Sequence, residues 1–129
     1  MTKVLLVEDT PSLAIEIMDI LRMEDFDVCL AKNGLDALNQ LWVRLSDIII
    51  SDLFMPEIDG FQLITEVKKD ATLKHVPIII LSARTTPDTI EKVMELGGDL
   101  FIQKPCDSRY LVGSIKKVLN KNEQVYKND

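Results

Sequence analysis

Apolar residues along this chain fall into two kinds of run. Some are short and unbroken: Val4-Leu5-Leu6-Val7, Ile48-Ile49-Ile50 and Ile78-Ile79-Ile80-Leu81. Others recur every three or four positions over longer stretches. An apolar run without alternation reads as a strand buried on both faces, the signature of a central strand in a parallel sheet. Spacing of three and four reads as an amphipathic helix laid against such a sheet. Two weaker strands are expected at Asp27–Ala31, β-prone at Val28, and at Leu100–Ile102.

Start and stop signals frame the helices. Thr10-Pro11 opens the first, with Leu13, Ile17, Ile20 and Leu21 on its apolar side. Asn33-Gly34 turns into the second, where Leu38, Leu41, Trp42 and Leu45 repeat at helical intervals. Asp59 caps the third, with Gln62 placed for a capping box and Leu63, Ile64 and Val67 inward. Thr86-Pro87 opens the fourth, which carries Ile90, Val93, Met94 and Leu96 and stops at Gly97-Gly98. Asp107 caps the last, with Leu111, Ile115, Val118 and Leu119 inward. From Asn120 the sequence turns polar, which sets a domain at 1–121 and a polar tail at 122–129.

Five strand–helix units imply an α/β fold with a parallel sheet and helices on both faces. Right-handed crossovers leave the flavodoxin-like doubly wound arrangement, five strands in the order 2-1-3-4-5 with five helices, as the expected topology. The three most apolar strands are then central. Their carboxyl ends, where such sheets place ligands, bring Glu8, Asp9, Asp52 and Ser82 together beside Lys104. Asp52 stands out among them, a carboxylate at the mouth of the most apolar strand, where desolvation is costly.

Composition narrows the classes. The chain of 129 residues suits one domain with a single sizeable core. A net charge of −6 argues against direct nucleic-acid binding. No apolar run approaches the roughly 20 residues of a membrane span, and the N-terminus lacks a signal-peptide pattern. Cys29 and Cys106 form no framework or metal motif and read as reduced thiols of a cytoplasmic protein. The single histidine, His75, reads as a surface turn residue, and Trp42 and Met55 as packing residues. Lys116, Lys117 and Lys121 make the last helix basic towards its end, as its dipole favours.

Three acids crowded at one sheet edge repel unless a cation joins them, and magnesium, which seeks hard oxygens, suits the set. Lys104 and Ser82 add an ammonium and a hydroxyl for an anionic group held near the metal. Metal, carboxylate and lysine together can receive a phosphoryl group, with Asp52 as nucleophile.

These residues carry a resemblance. The pair Glu8-Asp9, the stretch S-D-L-F-M-P-E-I-D-G around Asp52, I-L-S-A with Ser82, and Lys104-Pro105 resemble the receiver domain of two-component response regulators, in particular single-domain chemotaxis-type regulators. The likeness runs from Lys3 to about Leu119. It implies that Asp52 accepts phosphate from the phosphohistidine of a sensor histidine kinase or phosphotransfer protein. It implies further that Asp9, Asp52 and the main-chain carbonyl of Phe54 bind Mg2+, with Glu8 acting through water. Ser82 and Lys104 would contact the phosphoryl oxygens, Ser82 and Phe101 would form the switch, and a downstream protein would read the altered surface of the fourth helix, fifth strand and fifth helix. Phe54 and Arg84 match positions that tune phosphoryl lifetime in the family, and Lys104-Pro105 matches a cis bond. Departures are Glu-Asp for Asp-Asp, Ser82 for threonine, and Leu100 and Cys106 where the winged-helix transcription-factor subclass has an acid and an aromatic. The last two speak against the dimer of that subclass.

Competing expectations are a receiver cut from a larger hybrid kinase or regulator, and a metal-dependent phosphatase with an aspartyl nucleophile. The phosphatase usually needs an acid two residues after the nucleophile, where Phe54 stands. A nucleotide or flavin binder on this fold is disfavoured, because Glu8-Asp9-Thr10-Pro11 has no glycine cradle. The domain is therefore expected to be a self-phosphorylating regulatory module and not a turnover enzyme.

Overall fold

Five parallel strands pair in the order β2-β1-β3-β4-β5 in a computed structural model that describes residues 1–127, with side chains through 121. The strands are β1 (Lys3–Val7), β2 (Asp27–Ala31), β3 (Ile48–Ser51), β4 (Ile78–Ser82) and β5 (Leu100–Gln103). Between and after them run α1 (Pro11–Met23), α2 (Gly34–Val43), α3 (Gly60–Lys69), α4 (Pro87–Leu96) and α5 (Ser108–Lys127). This is the flavodoxin-like order expected from the alternation. α5 continues through much of the stretch assigned above to the tail, whose last residues, 128–129, lie outside the described residues.

Each unbroken apolar run serves two faces at once. Leu5, Val7, Ile49, Ile78 and Ile80 point to one side and pack with Leu38 and Leu41 of α2, Leu63, Ile64 and Val67 of α3, and Val93 of α4. Val4, Leu6, Ile48, Ile50, Ile79 and Leu81 point to the other and pack with Ile17 and Leu21 of α1 and Leu111, Val112 and Ile115 of α5. Burying one such side chain contributes about 1.5–3 kcal/mol, so the central strands carry much of the fold's stability.

The helix ends follow their local chemistry. Asp59 and Gln62 form the expected capping box on α3, and Thr86 with Thr89 forms another on α4. Gly97 ends α4 with φ of 112°, a left-handed conformation that glycine adopts without strain. One expectation fails: Trp42 is 62 % exposed and does not pack in the core. Gly34, Ala37, Leu38 and Leu41 form the buried stripe of α2, and Trp42 lies about 100° around the helix from Leu41, beyond its rim. Its indole N–H instead donates to Asp70 Oδ2 at 3.4 Å. Leu45 lies past the end of α2 and is exposed as well. Met55 is buried as expected, and His75 lies exposed in the turn before β4.

Candidate functional site

Strand register gathers the polar residues before any side chain is considered. Val7 pairs with Ser51, so Glu8 and Asp52 leave the sheet side by side. The Asp52 N–H donates to the Val7 carbonyl at 3.0 Å. Ser82 pairs with Gln103, and the N–H of Lys104 donates to the Ser82 carbonyl at 2.9 Å. Asp52 is the first residue past β3 and not its last.

Glu8, Asp9 and Asp52 each present a carboxylate oxygen, and these oxygens all lie within 4.8 Å of one another. Lys104 lies just past β5, and its Nζ reaches in to 2.7 Å from Glu8 Oε1 and 3.5 Å from Asp52 Oδ2. The Glu8 side chain is 2 % exposed, and its second oxygen accepts the Thr10 N–H at 3.2 Å. A carboxylate this deeply buried is tolerable only with such partners. Asp52 Oδ1 accepts the Leu53 N–H at 2.7 Å, leaving Oδ2 towards Lys104. Three carboxylates against one ammonium leave negative charge in excess. That donor set of clustered hard oxygens fits a small divalent cation such as magnesium.

The loop carrying Asp52 is held tightly from below. The Ser51 hydroxyl donates to the Asp52 carbonyl at 2.7 Å, and the Gly60 N–H donates to the Leu53 carbonyl at 2.7 Å. A Cβ on Gly60 would lie 2.8 Å from both the Asp52 carbonyl oxygen and Leu53 Cα, so only glycine lets the start of α3 approach this closely. In the sequence Asp59 reads as a cap and Gly60 is given no role, because nothing local signals that the approached backbone is that of Asp52. The Lys104-Pro105 bond is cis, as the resemblance implied.

Phe54 and Arg84 meet at the mouth of the site, where the Arg84 guanidinium carbon lies 4.9 Å from the Phe54 ring centroid. The Arg84 N–H donates to Ser82 Oγ at 3.2 Å. Phe101 is half-buried on the α2–α3–α4 side of the sheet. Cys106 follows Lys104-Pro105, and its partial burial pushes the thiol up, with Asp107 adding to the shift and Lys104 opposing it.

The sequence matches the response regulator receiver domain over residues 4–116. The chain belongs to this family. A probable transcriptional regulator of Pyropia yezoensis, ycf29, is 36 % identical over 118 residues, 91 % of this chain and 53 % of that protein. The chain thus spans about half the length of such relatives. Among solved structures, the signal receiver domain of a signal transduction histidine kinase from Syntrophus aciditrophicus is 33 % identical with a TM-score of 0.87, covering 94 % of this chain and 92 % of that one. The Vibrio cholerae chemotaxis protein CheY4 is 29 % identical with a TM-score of 0.87, covering 92 % of this chain and 98 % of that one. A receiver domain is the phosphorylation-activated switch of a two-component system, and that is the function of this domain. Among the described residues, no helix is long and apolar enough to cross a membrane.

Proposed function

We propose that Asp52 is the phosphoacceptor of this receiver domain. Asp52 Oδ2 attacks the phosphorus of a phosphohistidine on a sensor histidine kinase or phosphotransfer protein. The phosphorus–nitrogen bond breaks, the imidazole leaves with its electron pair, and an aspartyl phosphate forms. Asp9, Asp52 and the main-chain carbonyl of Phe54 would hold Mg2+, with Glu8 acting through water. When bound, the ion neutralises charge on the oxygens of the transferring group. Lys104 supplies a second positive charge to that group and Ser82 a hydroxyl donor. Lys104 would then exchange part of its hold on Asp52 for the phosphoryl oxygens.

One observation carries the reading: three carboxylate oxygens within 4.8 Å of one another, with the ammonium of Lys104 already against two of the acids. Phe54 and Arg84 cover the approach to Asp52 and tune how fast water removes the phosphate. Ser82 and Phe101 form the switch that remodels the surface of α4, β5 and α5 for a downstream protein target. The net charge of −6 supports a protein and not a nucleic acid as direct partner, and the reading places the domain in the cytoplasm.

The test is phosphorylation by acetyl phosphate with magnesium, read by intact mass beside Asp52→Asn. A single phosphate adduct that requires magnesium and is absent in the variant is expected. An adduct that persists in Asp52→Asn would overturn the assignment.

A further inference from the structure

Four side chains from four separate parts of the chain stack in series beside the site. Arg84, in the loop between β4 and α4, lies over Phe54 in the loop between β3 and α3, 4.9 Å from its ring centroid. Phe54 meets Phe61 of α3 edge to face, with centroids 6.2 Å apart and an interplanar angle of 85°. Lys92 of α4 closes the series, its Nζ 4.2 Å from the Phe61 centroid. Both cation–ring distances lie inside the roughly 6 Å within which the ring quadrupole attracts a cation. The ring pair has the geometry that aromatic pairs prefer.

We propose that this series is a latch: the seating of Lys92 on Phe61 holds α4 and the loop before it in the resting position, and thereby sets how readily Asp52 takes up a phosphoryl group. The proposal rests on the reading of Asp52 given above.

The anchoring of α4 makes the latch consequential. Val93 is the only buried residue of α4, whereas α1, α2 and α3 bury three or four each. A helix with so little core contact draws its position from peripheral contacts and its caps. At its far end Gly97 lies against the Lys68 stem, and Lys68 pairs with Asp99 at 3.8 Å. Midway along it stands the Lys92–Phe61 contact, and the loop from Ser82 leads into its near end.

The same loop is poised to move. Among the described residues, none offers a hydrogen-bond partner to the buried Thr85 Oγ1. Arg84 is tied to Ser82 through the hydrogen bond from its N–H to the Ser82 hydroxyl. When that hydroxyl turns to a phosphoryl oxygen, the loop backbone follows it and the guanidinium is drawn from the Phe54 ring. The loss is felt along the rings to Lys92. A contact stronger in the resting than in the phosphorylated conformation lowers affinity for the phosphoryl group by its differential strength, and coupling of this kind is reciprocal. Lys92 is thus a positioning residue that acts on the site through two rings, with no contact to Asp52 of its own.

The experiment compares Lys92→Met, which keeps the stem and loses the charge, with Lys92→Arg, which keeps a cation over the ring. Amide hydrogen exchange over residues 84–92 is measured without ligand, and binding of beryllofluoride with magnesium is measured by calorimetry. For Lys92→Met, exchange in that segment and beryllofluoride affinity should both rise about two- to fivefold, the factor for an exposed cation–ring contact. Lys92→Arg should restore both. Exchange in Lys92→Met equal to wild type overturns the latch. Faster exchange with wild-type beryllofluoride affinity overturns its coupling to Asp52. Wild type that binds no beryllofluoride overturns instead the reading of Asp52 as phosphoacceptor, and is told apart because exchange still responds to Lys92→Met.

Discussion

Lys104 faces two acids at once, Glu8 at 2.7 Å and Asp52 at 3.5 Å, and is itself only 13 % exposed. Removing one partner of a buried pair typically costs about 3–5 kcal/mol, because the other charge is left behind. Lys104→Met should therefore lower stability in EDTA by an amount of that order. On the proposed reading magnesium binds the folded cluster and not the unfolded chain, so at millimolar concentration it should recover part of the loss. Urea denaturation with and without magnesium checks this; identical midpoints in the two conditions would mean that the acids do not form a cation site. Phe54 offers a second residue-scale test. On the proposed reading its ring shields the approach to Asp52 by bulk, so Phe54→Asn should shorten the phosphoryl half-life severalfold, and an unchanged half-life would leave the ring a packing role alone.

Elements are joined here by short polar turns, and the turn after α3 shows how much one carboxylate can do. Asp70 accepts the Thr72 N–H at 2.8 Å, the Leu73 N–H at 3.2 Å and the Trp42 indole at 3.4 Å, tying α3 to both the next turn and α2. These donors, the Thr72 backbone foremost, hold the Asp70 carboxyl below its ordinary value of 3.8. The folded protein therefore favours the ionised form more than the unfolded chain does. That contribution is present above the ordinary value and is lost as pH falls through the lower folded one. Asp70→Ala should lower the melting temperature at pH 7, and its difference from wild type should shrink below about pH 4. A gap that stays constant down to pH 3 would show that ionisation plays no part. The capping box at Asp59 was legible as sequence because Gln62 lies three residues away, whereas at Thr86 only the cap and its proline were read and Thr89 emerged with the structure. Trp42 was misread because helical spacing alone does not say how wide the buried stripe is.

Across the whole molecule, stability and site geometry share one scaffold. Ile49 is fully buried and pairs with Leu5 on one side and Ile78 on the other. Ile49→Ala should cost about 2–5 kcal/mol by urea denaturation, yet the folded fraction should still take phosphate from acetyl phosphate. A variant that stays folded but is not phosphorylated would mean that core packing sets the position of Asp52 more finely than backbone pairing does.

Sequence by itself determined the number, kind and order of the elements, the sheet order, and the placing of acids at the ends of the central strands. The elements follow from periodicity, caps and unbroken apolar runs, which act between neighbours in the chain, and the sheet order from the right-handed crossovers that those elements impose. Tertiary structure alone decided which of the gathered groups touch. Lys104 pairs with Glu8 across 96 positions, Gly60 presses on the backbone of Asp52, and two cations and two rings from four separate segments stack beside the site. Such contacts depend on strand register and on how far each loop reaches after the chain folds back, and local spacing carries no record of either.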